Sequence, residues 1–246
     1  MMDLASAQTL ISSADPAVFK LDSETSTSDR QMLLAVQNIV RRNVDKYVYV
    51  ETGSYMGGTL VPHLLDERCS MVISIDPRPD LQPDERSVTF DYTRSSTKLM
   101  VERLETEIPL SSMLKLHTFD YDASTLPPEA KSTDADLCFI DGEHTNRAAF
   151  SDFMSLYSFT KKDCVFVFHD ANLVIDAIAN VQAFLAYEGV RFEAMVLPNV
   201  LSAIFIGKYA TLAAPLKRHA GNMEEFYRAS KESLWKEIAN SRAQQG

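Results

Sequence analysis

Residues 47–60 read YVYVETGSYMGGTL, and no other stretch constrains the chain so tightly. A β-branched and aromatic run, Tyr47 to Glu51, ends in an acid and passes directly into a turn. The 246 residues include only eight glycines, and three of them, Gly53, Gly57 and Gly58, fall in this turn. Glycine reaches backbone conformations and close approaches that a Cβ forbids. A buried strand, a glycine turn and a helix at its exit, expected here from about Gly57 to Glu67, form the corner at which doubly wound α/β sheets bind ligands, outside the carboxyl ends of their strands.

The rest of the chain repeats that rhythm. Helical spacing of Met32, Leu33, Val36, Ile39 and Val40 predicts a helix over Thr27–Asn43, with N-caps at Ser26 to Ser28. A short helix and a turn at Asp15-Pro16 are expected before it. Further strands are expected at MVISID (Met71–Asp76), LKLHTF (Leu114–Phe119), ADLCFID (Ala135–Asp141) and CVFVFHD (Cys164–Asp170). Amphipathic helices at Ser95–Glu107, around Phe150 to Tyr157 and from about Leu173 to Glu188 fall between and after them, and PRPDLQP reads as turn. Near-continuous apolar strands alternating with helices mark a parallel sheet covered on both faces. The last two strands, FEAMVL (Phe192–Leu197) and VLSAIFIG (Val200–Gly207), are separated only by Pro198-Asn199. Two residues cannot hold a crossover helix, so this pair must run antiparallel. A polar-faced terminal helix carries Trp235.

A formal charge of −10 and no clustered Lys/Arg footprint argue against a nucleic-acid surface. Cys69, Cys138 and Cys164 form no CxxC pair, and the latter two sit in apolar runs as core residues. The first twenty residues lack a secretory pattern and no apolar run is long enough to span a bilayer, so no membrane association and a cytoplasmic setting are expected.

Asp76 closes the second strand 23 residues after Gly53, where an acid takes the two hydroxyls of a ribose. Tyr55 occupies the position at which a dinucleotide site needs glycine to pass the pyrophosphate. Glu51, Asp76 and Asp122 make the corner acidic, which disfavours phosphate and suits S-adenosylmethionine (SAM), an adenosine with sulfonium and ammonium groups. VETGSYMGGTL, SIDP, DLCFIDGEHTNRAAFSDF and VFVFHDANL together resemble a class I SAM-dependent methyltransferase, most similar to small-molecule O-methyltransferases of the catechol and macrolide-sugar type. The resemblance spans about Tyr47 to Lys208. It implies a Rossmann-like seven-stranded sheet with the last two strands antiparallel. It further implies that Glu51, Gly53 and Ser54 line the methionine end of the cofactor, that Gly57 and Gly58 allow close approach, and that Asp76 holds the ribose. Asp122 lies near the adenine, with Asp120 as its rival.

Methyl transfer to a hydroxyl needs an acceptor held in line and its proton removed. Asp141 and Asp170 end adjacent strands, so both stand at one rim of the sheet. In the metal-dependent relatives an aspartate ends the fourth strand, a lysine follows three residues later, and an Asp-Asn pair comes after. Here those positions are Asp141, His144 and the interrupted Asp170-Ala171-Asn172. His144 then replaces the lysine as base, while Asp141 and Asp170 are either ligands, with Asn172, of a divalent cation such as Mg2+ or contacts to the substrate. The competing roles are helix N-caps for Asp141 and Asp170 and a satisfied strand-end histidine for His169. His63 and His117 are read as structural.

The expected organisation is a helical lid or extension over 1–44, a SAM-binding core over 45–208 and a helical extension over 209–246. The partner is a small-molecule substrate. Exposed terminal helices suit a homodimer, and the acceptor is open. An NAD-dependent oxidoreductase would share the fold, although Tyr55 and the antiparallel end oppose it. A non-catalytic SAM-binding protein would share the pocket.

Overall fold

In a computed structural model, which describes residues 2–132 and 134–245, the chain opens with helices α1 (Leu4–Ser13) and α2 (Thr27–Arg41). The start of α2 is fixed by a capping box. The Asp29 amide donates to Ser26 Oγ, and the Ser26 amide donates back to Asp29 Oδ2. Then follow β1 (Tyr47–Thr52), α3 (Val61–Leu65), β2 (Cys69–Ile75), a hairpin of β3 (Leu81–Pro83) and β4 (Thr89–Asp91), α4 (Thr97–Glu107), α5 (Leu110–Met113) and β5 (Leu116–Phe119). The second half contains β6 (Ala135–Ile140), α6 (Asn146–Tyr157), β7 (Thr160–Phe168), α7 (Ile175–Tyr187), β8 (Phe192–Val196), β9 (Ser202–Ile206), α8 (Tyr209–Leu212) and α9 (Met223–Gln245).

Seven strands form one sheet in the order β5-β2-β1-β6-β7-β9-β8. The pairs from β5 to β7 are parallel, whereas β9 runs antiparallel to both β7 and β8. The short link therefore produces the antiparallel pair expected of it, and β9 inserts between β7 and the edge strand β8. Strand order reverses between β1 and β6, which makes their carboxyl ends the switch point of the sheet.

Alternating strand residues feed two cores. Tyr49, Leu137, Phe139, Val165, Val167 and Phe205 pack toward α1, α2, α3 and α4. Val50, Ile73, Cys138, Phe166, Phe168 and Ile204 pack toward α6 and α7. All three cysteines are buried and free. Helices α1 and α2 belong to the first core through Ala7, Ile11, Leu34, Val36 and Val40. Arg41 of α2 also ties them to the end of α3, in a buried pair in which its Nε donates to Asp66 Oδ2 at 2.8 Å. Among the described residues, no helix is long and apolar enough to cross a membrane.

Three local expectations are corrected. The helix expected from Gly57 is only Val61–Leu65, because Gly53, Tyr55 and Gly57 all have positive φ and wind residues 53–60 into successive turns before Pro62 opens the helix. The turn-rich segment after Asp76 holds the β3–β4 hairpin, whose strands are three residues each and largely exposed, β3 ending in Pro83, too short to show a period. The third predicted strand begins at Leu116, since a single helical turn after Pro109 takes up the residues before Leu114.

Candidate functional site

The carboxyl ends of β1 and β6 meet at backbone distance. A Cβ on Gly53, whose φ is +77°, would lie 2.0 Å from the Asp141 carbonyl oxygen and 2.6 Å from Gly142 Cα. Gly53 therefore answers to its neighbouring strand as well as to any ligand, and the turn after β1 is locked to the loop after β6. A cleft opens above this junction, walled by Gly53, Ser54, Asp76, Tyr92, Asp141 and His144. The segment between α1 and α2 overhangs it, with Asp22, Ser23 and Glu24 lining the opposite wall. Gly58 permits that overhang, since a Cβ there would sit 2.7 Å from the Asp22 carbonyl oxygen.

Asp76 stands between this cleft and an adjoining cavity lined by Tyr121, Asp122, Ala123, Gly142 and Asp152. Its carboxylate accepts from the Tyr55 and Arg78 amides at 2.9 Å each, and the Arg78 guanidinium lies 3.4 Å away. An ionised carboxylate has about four acceptor positions, so capacity for a ribose diol remains. Asp122 lines the adjoining cavity, whereas Asp120 is exposed and bonded to Thr97. Ser54 Oγ is buried at the cleft without an aligned hydrogen-bond partner.

Glu51 and Gly57 do not line the cleft. Glu51 lies beneath the turn, fully buried, accepting from the Tyr49 and Thr59 hydroxyls. Burial pushes its carboxyl up to about 8. Gly57 faces α4, where a Cβ would meet Met100 and Leu104 at 2.9 and 3.1 Å.

On the far side of the cleft four side chains converge. His144 Nε2 lies 3.3 Å from Asp141 Oδ1, and its Nδ1 lies 3.3 Å from Asp170 Oδ2. His169 Nδ1 lies 3.1 Å from Asp141 Oδ1 and 3.4 Å from Asp170 Oδ2. Neither carboxylate caps a helix: Thr145 caps α6, and α7 starts after Val174 with no side-chain cap. Asp170 is instead held at φ 44°, a left-handed conformation that aspartate tolerates better than most residues. Asn172 lines the cavity on this side, with its Oδ1 buried and unpartnered.

The charges here are strongly coupled. Burial alone would lower both histidine pKa values, but Asp141 and Asp170 outweigh it and both are raised, His169 most. The same contacts hold Asp141 below its usual range despite its burial. Burial, followed by the nearby Asp141 charge, raises Glu24. Asp152, beside the adjoining cavity, is pushed up to about 7 by burial. His63, by contrast, packs in the core against the Tyr49 ring at 3.5 Å, and burial lowers it to about 3.

The structure adds residues the sequence did not mark. His169 lies among three carboxylates, although neither ring nitrogen has an aligned hydrogen-bond partner. Asp29, in the first turn of α2, faces its Nε2 at 3.8 Å. Asn199, in the turn between β8 and β9, donates to both oxygens of Asp29 at 3.0 and 2.9 Å. Burial would raise Asp29, but His169, Ser26 and Asn199 bring it down to about 2. The capping-box pattern marks Asp29 as a helix start, and nothing near it in sequence points to the cleft.

Residues 50–171 match a family model described as a methyltransferase domain. Among curated proteins, the chain is 24% identical over 170 residues to an uncharacterized protein of Acanthamoeba polyphaga mimivirus, covering 68% of this chain and 64% of that one. The chain thus spans less than two thirds of that relative's length. Among solved structures it is similar to a candidate caffeoyl-CoA O-methyltransferase from Staphylococcus aureus, with a TM-score of 0.52, 12% identity and coverage of 82% of this chain and 92% of that one. It is also similar to the O-methyltransferase TomG from Streptomyces achromogenes, involved in tomaymycin synthesis and solved with SAM, with a TM-score of 0.50, 10% identity and coverage of 84% and 91%. At these identities the likeness is one of fold, and the fold is the Rossmann-like one of methyltransferases.

Proposed function

We propose that this protein transfers the methyl group of S-adenosylmethionine to a hydroxyl of a small molecule, with His144 as the base that takes the hydroxyl proton. One observation carries the reading: the cleft at the switch point runs from Asp76 to His144 without interruption, so a carboxylate suited to a ribose and an imidazole suited to a proton share one space. The methyltransferase domain over residues 50–171 supports the reaction class. An O-methyltransferase among the similar structures supports the acceptor type.

The residues present fit the cofactor. Asp76 would take the ribose, the cavity at Asp122 and Ala123 the adenine, and the unpartnered Ser54 hydroxyl the amino-acid end. Acidic walls at Asp22, Glu24 and Asp141 favour a cationic ligand over a pyrophosphate. The cofactor supplies an electrophilic methyl carbon. The chain holds the acceptor across the cleft and removes its proton: His144, steadied between Asp141 and Asp170, accepts that proton in the direction its raised pKa favours. Its neutral form must be populated first, so turnover rises with pH.

Thermal shift tests the cofactor. A ligand at 100 times its Kd stabilises by about 2.7 kcal/mol, so SAM or its demethylated product raises Tm and NAD does not. A rise with NAD alone would assign the fold to an oxidoreductase.

A further inference from the structure

The carboxylate-and-amide set expected for Mg2+, Asp141 with Asp170 and Asn172, shares its cavity with two histidines. Two imidazole nitrogens stand close to the Asp141 Oδ1, His169 Nδ1 at 3.1 Å and His144 Nε2 at 3.3 Å, and one atom from each of these three residues falls within a 4.8 Å span. Two donors about 2.1 Å from one ion lie about 3.0 Å apart at a right angle and about 3.4 Å apart at a tetrahedral angle. Both contacts to Asp141 fall in that interval. A hydrogen bond requires the N–H to point at its acceptor, whereas two ligands of one ion point at a common centre off the line between them. The His144 contact also satisfies hydrogen-bond geometry, whereas His169 shows the second pattern: it is 6% exposed, 3.1 Å from a carboxylate oxygen, and without an aligned hydrogen bond from either nitrogen.

The far sides of both rings are also arranged. His144 turns its other nitrogen to Asp170 at 3.3 Å, and His169 turns its other nitrogen to Asp29 at 3.8 Å. Asp29 is itself held by the Ser26 amide and by Asn199. A carboxylate behind each imidazole is the arrangement that fixes ring orientation in metal-ligating histidines. Four carboxylates, Glu24, Asp29, Asp141 and Asp170, line this cavity with the two histidines. The remaining cation on its wall, Arg86, is paired with Asp84 and Glu237.

We propose that Asp141, His144 and His169 form a site for a divalent transition-metal ion, with Asp170 and Asn199-held Asp29 orienting the two rings, and that the site discriminates against Mg2+. Two imidazoles and one carboxylate suit Zn2+, Mn2+, Fe2+ or Co2+, while Mg2+ takes oxygen ligands and keeps its waters. A bound ion supplies Lewis acidity beside the cleft. The proposal goes beyond the function assigned above and alters one part of it: with the ion present His144 is a ligand, and its role as base belongs to the ion-free protein.

The test is calorimetric titration of the chelator-treated protein with the chlorides of Zn2+, Mn2+, Co2+ and Mg2+, with the visible spectrum recorded for Co2+. SAM binding and Tm are measured on the same samples. One transition ion per chain is expected, at a Kd at least 100-fold below that for Mg2+, with Co2+ ligand-field bands of a nitrogen-containing site. His169→Gln and His144→Gln should each weaken binding at least tenfold while SAM affinity and ion-free Tm are kept. Equal or tighter binding of Mg2+, no binding of any ion at millimolar concentration, or variants that bind as wild type would each overturn the metal site. If an ion binds and SAM does not, the metal site stands and the methyltransferase reading falls.

Discussion

Replacing Glu51 with glutamine should flatten the fall in stability that wild type shows as pH rises. Glu51 is fully buried, and its carboxyl is pushed from an ordinary 4.5 up to about 8 by burial. Below pH 4.5 the group is protonated in both the folded and the unfolded chain and has no effect on the balance. As pH rises above that value, the unfolded chain ionises while the folded chain keeps its proton, so the folded state loses ground at about 1.4 kcal/mol per pH unit. The loss is complete once pH passes the folded value, and over the full interval it amounts to about 5 kcal/mol as an upper bound. For a chain of this size that is a Tm difference of roughly 10–20 °C. Glutamine keeps the shape and can still receive the Tyr49 or Thr59 hydroxyl, but it does not titrate. Denaturant melts of wild type and Glu51→Gln at pH 5, 6, 7, 8 and 9 give the comparison. Other groups titrate equally in both proteins, so the difference isolates Glu51. The variant should gain on wild type steadily as pH rises toward 8. A difference that stays constant, or one that moves the other way, would refute the claim that this carboxyl is neutral inside the fold.

Four further outcomes follow from the geometry. His144→Ala should retain SAM binding and lose about 100-fold or more in kcat, measured by steady-state turnover beside calorimetry. Asp76→Asn should weaken SAM binding by about 10- to 100-fold, the worth of charge-assisted hydrogen bonds to a ribose, with little change in sheet content by circular dichroism. Gly53→Ala places a Cβ 2.0 Å from the Asp141 carbonyl, so SAM binding and turnover should fail together; independent loss of only one would contradict the backbone junction. Arg41→Ala leaves Asp66, which is fully buried, without its guanidinium, and should cost about 3–5 kcal/mol in a denaturant melt.

Much of the fold was legible because its signals are local. Each core strand is a short apolar run, and Pro198-Asn199 is too brief for anything except a reversal. Asp76, Asp141 and Asp170 were legible for a related reason: a parallel sheet brings the ends of its strands to one rim, so position in the strand gives position in space. What escaped depends on distant segments meeting. Asp29 looks like an ordinary capping residue until Asn199 and His169 close on it. Glu24 reaches the cleft only because Gly58 lets the segment between α1 and α2 settle on the turn. Glu51 and Gly57 were placed at the cofactor because they belong to the right motif, yet one is turned under the strand and the other packs on α4. A motif fixes the path of the backbone more firmly than it fixes which side chains face a ligand.

The insertion of β9 between β7 and β8 sets the order in which the chain can finish assembling. During synthesis residues 192–196 emerge before 202–206, so β8 must wait beside a gap, and the open side of β7 stays bare until residues 202–206 have been made. A bare strand edge invites pairing with other chains. A product terminated before Ser202 should therefore accumulate as aggregate even though the residues of the cleft from Gly53 to Asp170 are all in place, and a nascent chain is most exposed to the same fate in the seconds before β9 arrives.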